Sequence, residues 1–122
     1  KAISGGPMMG FAMYTTDTPI TKTSSSILCM SKDEVSACEP TACINCGRCV
    51  DACPSRIIPS RLADFAERHD EEAFLKFNGL ECVECGSCSY VCPAKRQLKQ
   101  AIGSMRKTAL PTKRKNRIER KR

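Results

Sequence analysis

Three features of the sequence predict a mainly α fold held together by metal. Ten cysteines fall within 122 residues, one cysteine motif occurs twice at a fixed offset, and apolar residues recur at helical spacing between and after the two copies. The chain has four Phe, two Tyr and no Trp. A core built from so few large side chains is thin, and small domains of this kind usually rely on disulfides or metals.

Residues 1–28 carry Gly5-Gly6-Pro7-Met8-Met9-Gly10, then Phe11-Ala12-Met13-Tyr14 and a stretch rich in Thr and Ser. Gly-Gly-Pro marks a turn. The short apolar pieces beside it read as strands too few for an independent sheet, so the segment is expected to be the end of an upstream domain. The opening from Lys1 shows no basic stretch followed by an apolar one, so no signal peptide is expected. No apolar run reaches the roughly 18–20 residues of a membrane span, so the chain is expected to be soluble by itself. Ser31 with Glu34 three residues later fits a capping box and predicts a helical turn there.

Residues 43–54 are Cys43-Ile44-Asn45-Cys46-Gly47-Arg48-Cys49-Val50-Asp51-Ala52-Cys53-Pro54. Residues 82–93 echo them as Cys82-Val83-Glu84-Cys85-Gly86-Ser87-Cys88-Ser89-Tyr90-Val91-Cys92-Pro93, with every cysteine offset by 39 positions. The spacer 54–81 reads as helical. Pro59 suits a first helical position, and Leu62, Phe65, Ala66 and His69 follow at helical spacing. A second helix is expected over 70–78, with Ala73, Phe74 and Phe77 on one face and Gly79 as a left-handed cap. A β-hairpin at 60–78 is not expected. After the second repeat, Leu98, Ile102 and Met105 form another stripe, which Gly103 and Pro111 should limit. The basic run 113–122 has too little apolar content to fold alone and reads as disordered or partner-bound.

The net charge of +7 is an average over two unlike parts. Residues 95–122 hold twelve Lys/Arg and only Glu119 as an acid, whereas residues 1–94 hold eight Lys/Arg against twelve acids. An acidic body is joined to a basic tail.

The spacing C-x2-C-x2-C-x3-C-P is that of two-cluster iron–sulfur proteins, in which the fourth cysteine of each run ligates the other cluster. One [4Fe–4S] cluster is therefore expected on Cys43, Cys46, Cys49 and Cys92. The second is expected on Cys82, Cys85, Cys88 and Cys53. Such crossing would couple folding to cluster assembly. Gly47 and Gly86 allow a tight turn with amides facing sulfur, Pro54 and Pro93 lead the chain away, and Ile44, Val50, Val83 and Val91 are candidates to shield the clusters. Zinc is a poorer fit, because a tetrahedral site needs four close ligands and each repeat offers a tight triplet with a distant fourth. A disulfide framework finds no sensible pairing within such cramped triplets. Catalytic thiols do not explain eight cysteines in register.

Cys29 and Cys38 lie outside the code and are expected to be small buried apolar residues. His69 is expected on a helix surface or in packing, and Met8, Met9 and Met13 in packing. The Gly-Gly-Pro is expected to be a plain turn, since no phosphate-binding loop with Lys-Ser/Thr follows it.

With these motifs in view, the chain resembles the C subunit of the Rnf electron-transport complex over nearly all of residues 1–107. The likeness lies in Ile3-Ser4-Gly5-Gly6-Pro7-Met8-Met9-Gly10-Phe11, in Pro19-Ile20-Thr21-Lys22-Thr23, in the first cysteine run, and in Glu84-Cys85-Gly86-Ser87-Cys88 leading to Cys92-Pro93-Ala94-Lys95-Arg96. The resemblance implies a peripheral component of a membrane-bound, ion-translocating ferredoxin:NAD oxidoreductase at the cytoplasmic face. It implies an FMN- and NAD(H)-binding portion upstream, absent here, and then a β-grasp domain of the soluble-ligand-binding type whose end is residues 1–28. Residues 29–107 would be the two-cluster module and 108–122 the basic tail. No catalytic residue is assigned. The implied role is one-electron transfer, with other Rnf subunits and a ferredoxin-type carrier as partners. Cobalamin reductase of propanediol utilisation shares the layout and is the alternative. A nucleic-acid-binding iron–sulfur protein ranks below it, because the basic run lacks interleaved aromatics for base stacking. The run is also a candidate tether to an anionic membrane surface.

Overall fold

The computed structural model describes residues 1–33 and 37–119, with residues 113–119 by backbone alone. The expected capping box includes Glu34 and so lies outside the described residues.

Strands β1 (Ala2–Ser4), β2 (Phe11–Ala12) and β3 (Ile27–Cys29) form an antiparallel sheet in the order β2-β1-β3. Ile3 pairs with Ala12 on one side and Leu28 on the other. The short pieces thus make a sheet, although it rests against the helical part of the molecule. Between β1 and β2, the Gly10 amide donates to the Gly6 carbonyl at 2.8 Å. A Cβ on Gly10 would lie 2.5 Å from that oxygen and 2.7 Å from the Ile3 side chain, so this loop closes only with glycine.

The rest of the described chain is built on the 39-residue repeat. The first copy contains helix α1 (Arg48–Asp51), and the second contains α4 (Ser87–Tyr90). Left-handed residues fall at matching places: Asn45 and Glu84, Gly47 and Gly86, Arg56 and Lys95. The turns out of the short helices match as well, with the Cys53 amide on the Val50 carbonyl and the Cys92 amide on that of Ser89. Each copy then enters a longer helix, α2 (Pro59–Glu67) or α5 (Leu98–Glu119). Pro59 stands at the start of α2, as the sequence predicts.

The spacer is helical. Helix α3 (Glu71–Lys76) is capped by Asp70, whose carboxylate accepts the Ala73 amide at 3.0 Å. The left-handed residue after α3 is Asn78, not Gly79. Gly79 opens a 3-10 turn (Gly79–Glu81) pressed on the Phe74 ring, where a Cβ would fall 2.4 Å from a ring carbon. Close approach, and not a positive φ, is what requires glycine there.

Helix α5 also departs from expectation. Gly103 does not end it, and it passes through Pro111 to Glu119, so the basic segment expected to be unfolded has helical backbone over 113–119. Proline removes one amide donor and crowds the carbonyl four residues back, a local cost that does not end the helix here. The core lies between α2 and α5, with Phe74 from α3 beneath. It comprises Leu62, Ala63, Ala66, Phe74, Leu98, Ile102, Met105 and Ala109, together with Ile57 and Cys88. Its small volume agrees with the composition.

Candidate metal centre

The eight repeat cysteines line two separate hollows. One is bounded by Cys43, Cys46, Cys49 and Cys92 with Ser60, Arg96 and Leu98. The other is bounded by Cys53, Cys82, Cys85 and Cys88 with Ile57, Lys99 and Ile102. Each quartet therefore draws three cysteines from one repeat and the fourth from the other. Packing of α1 against α4 brings the two repeats face to face. The Thr41 amide on the Ala94 carbonyl, at 3.0 Å, ties the entry of the first run to the exit of the second.

Among the described residues, no group of three or more His, Cys, Asp or Glu converges as around a single metal ion. The thiols instead stand around a hollow, an arrangement whose donor chemistry suits a polynuclear iron–sulfide core with four thiolate corners. Left-handed residues in such runs can turn backbone amides toward sulfur. One such contact is formed already, from the Glu84 amide to Cys82 Sγ at 3.4 Å.

The two hollows differ in exposure and polarity. Cys43 and Cys46 are exposed, and Cys49 and Cys92 half-buried, whereas Cys88 is buried and Cys53, Cys82 and Cys85 half-buried. Burial pushes the Cys88 thiol up to about 11. It also raises Cys82, against the lowering effect of the Glu84 amide. Cys85 moves the other way, because the Ser87 hydroxyl beside it favours thiolate. Metal ligation requires deprotonation, so the core must supply the positive charge that burial withholds from Cys88.

Charged groups hold the frame. Arg96 donates to Asp64 at 2.8 Å and to Glu67 at 2.9 Å, pinning the exit of the second run to α2. Burial opposes its charge, but these two carboxylates outweigh it and keep the guanidinium firmly protonated. Arg106 on α5 donates to the Glu84 carboxylate at 2.9 Å and to the Leu80 carbonyl at 3.3 Å.

The glycine-bounded loop 5–10 meets the second repeat. A Cβ on Gly86 would lie 2.9 Å from the Met8 carbonyl oxygen, and the Lys99 ammonium donates to the Met9 and Gly10 carbonyls at 2.9 and 3.1 Å. The loop is thus a turn, as expected, that also lies against the second hollow. Its packing uses backbone, since the Met8 and Met9 side chains are exposed.

Other expectations need correction. Cys29 and Cys38 are exposed, not buried: Cys29 ends an edge strand and Cys38 sits in a bend. Ile44 lines the first hollow and Val83 the second, yet they are 65% and 55% exposed and form rims more than shields. Val50 and Val91 are half-buried and line neither. His69 lies on the surface beyond the end of α2, as expected. Ser60 and Lys99 line their respective hollows and are missed by a reading that follows the cysteines alone, although they stand 39 positions apart.

Residues 42–96 match the family model described as a 4Fe-4S dicluster domain. The chain is 44% identical over 115 residues to the C subunit of the Na(+)-translocating ferredoxin:NAD(+) oxidoreductase complex of Acetobacterium woodii, covering 94% of this chain and 26% of that one. It is 52% identical over 103 residues to the C subunit of the proton-translocating ferredoxin:NAD(+) oxidoreductase complex of Clostridium ljungdahlii, covering 84% and 22%. A third relative, the C subunit of the ion-translocating oxidoreductase complex of Yersinia pestis, is 44% identical over 71 residues, covering 57% and 12%. The chain spans about a quarter of the length of the first two relatives. Its sequence is that of a homologue of the C subunit of the Rnf-type, ion-translocating ferredoxin:NAD(+) oxidoreductases, matched over part of their length and carrying a 4Fe-4S dicluster domain.

Proposed function

We propose that this chain is a two-cluster electron relay within the C subunit of an Rnf-type complex. Cys43, Cys46, Cys49 and Cys92 hold one [4Fe–4S] cluster, and Cys82, Cys85, Cys88 and Cys53 hold the other. One observation carries the reading: each hollow is lined by three cysteines of one repeat and the fourth of the other. When bound, each cluster exchanges single electrons without bonding to a substrate, and complete thiolate ligation leaves no iron open to one.

The chain's own residues place and insulate the two centres. The thiolates ligate, the backbone amides at the left-handed turns face sulfur, and the α2–α5 core fixes the spacing between the repeats. Hydrogen bonds to sulfur, nearby charge and solvent access then set the potentials.

The relay joins a flavin- and NAD(H)-binding portion of the whole protein to other Rnf subunits or a ferredoxin-type carrier. FMN belongs to that upstream portion. The β1–β3 sheet is read as the end of a β-grasp domain. No helix among the described residues is long and apolar enough to cross a membrane. Peripheral attachment at the cytoplasmic face is proposed, with the basic run 113–122 as a further contact to anionic lipid. Similarity to the Rnf-type C subunits over most of the chain favours this reading over cobalamin reductase.

Anaerobic reductive titration tests the relay. Uptake of about two electrons per chain, one for each cluster, with loss of visible iron–sulfur absorbance, is expected. A chain that accepts none is not a relay.

A further inference from the structure

The repeat predicts two equivalent cluster sites, and the structure breaks that equivalence at several paired positions, among them Arg96 and Asn45 on the first hollow against Ile57 and Glu84 on the second. Ser60 lines the first hollow, and its counterpart 39 residues on, Lys99, lines the second. Both follow the first residue of a long helix, α2 or α5. At this pair one repeat carries a neutral hydroxyl and the other a cation, while the first hollow's own cation, Arg96, is paired with Asp64 and Glu67.

Lys99 is held on both sides. Its amide donates to Ser89 Oγ at 2.9 Å, and its ammonium donates to the carbonyls of Met9 and Gly10. Those partners are neutral, and among the described residues no carboxylate pairs with Lys99. The other charged residue lining this hollow, Glu84, is paired with Arg106. The carboxylate is therefore largely offset, while the lysine charge is not. The same bonds clamp the loop 5–10, whose Met8 carbonyl lies against Gly86 between Cys85 and Cys88. Among the described residues no counterpart loop touches Gly47, which has open space where a Cβ would be.

We propose that Lys99 is a positioning residue that poises the two clusters differently. It latches the loop 5–10 against Gly86 at the edge of the Cys53/Cys82/Cys85/Cys88 site and raises that site's reduction potential through its uncancelled charge. The inference rests on the two-cluster reading. Reduction adds one negative charge to a cluster that is already anionic with its four thiolates, so a fixed cation nearby favours the reduced state. The half-buried setting limits screening by water and salt. Loop closure acts oppositely, since excluding water disfavours the more highly charged reduced form. The two contributions have opposite signs, which makes them separable.

The test is an EPR-monitored redox titration of the full chain as isolated with its clusters, alongside Lys99→Met, Lys99→Arg and Ser60→Lys. Iron and sulfide content is measured on every sample. Hydrogen exchange over residues 5–10 reports the latch. In Lys99→Met the second-site cluster is expected to become harder to reduce by about tenfold in equilibrium constant, about 59 mV for one electron. The first-site cluster should stay put and exchange in the loop should quicken. Lys99→Arg should keep the native potential. Ser60→Lys, which leaves the latch alone, should make the first-site cluster easier to reduce. Faster loop exchange with a rise in potential in Lys99→Met, together with an unmoved potential in Ser60→Lys, overturns the charge role and leaves a structural latch. An unmoved potential in Ser60→Lys overturns it independently of how Lys99→Met folds. Absence of clusters from the unsubstituted chain would instead overturn the two-cluster reading itself.

Discussion

Gly47 and Gly86 occupy the same place in the two repeats, both left-handed at φ of 78° and 85°. An alanine at either position meets the left-handed penalty of about 1–2 kcal/mol. At Gly47 that is the whole cost, since no atom of the described residues lies within 4 Å of the added Cβ. At Gly86 the Cβ also strikes the Met8 carbonyl, so the loop must shift. Thermal unfolding of the cluster-loaded chain should therefore rank Gly86→Ala well below Gly47→Ala, and equal melting points would refute loop packing at the second site. The crossed quartets make a second claim at this scale. Cys92→Ala should damage the cluster held by Cys43, Cys46 and Cys49, which share a hollow with Cys92. It should leave the signal of the Cys82/Cys85/Cys88 site in place. EPR of the reduced variant distinguishes the two, and selective loss at the second site would mean that each run closes on itself. The candidate ligand set is legible from spacing because cluster chemistry constrains it so tightly. Lys99 is not, because its role depends on a loop some ninety residues away in sequence, and no local pattern announces that contact.

Among the elements, α2 and α3 follow their apolar spacing and their caps. Pro59 starts one and Asp70 caps the other, both readable from sequence because these signals act within a single turn. The ends are less legible. Asn78 takes the left-handed role expected of Gly79, because the Phe74 ring claims the space beside the glycine. Helix α5 runs through Pro111, where local propensity argues for a stop. Phe74 is completely buried and is the largest side chain of a sparse core. Phe74→Ala should cost about 3–5 kcal/mol, the usual range for such truncations. Chemical unfolding followed by far-UV circular dichroism measures it. A loss below about 1 kcal/mol would indicate that the α2–α5 core closes over the site or that the clusters alone hold the fold.

At the scale of the molecule, a small apolar core and two hollows ringed by thiols share the task of fixing the fold. The mainly helical class and the doubled cysteine run are legible because both are periodic. The pairing of β1 with β3 is not, since strands of three residues carry almost no pattern and find their partners through tertiary contact. The latch at the second site is likewise hidden, because it arises where the N-terminal loop lies on the second repeat. The most direct measurement is iron, acid-labile sulfide and zinc analysis of chain purified without oxygen. Two cross-ligated cubes require about eight iron and eight sulfide per chain. Stoichiometric zinc without sulfide would contradict them.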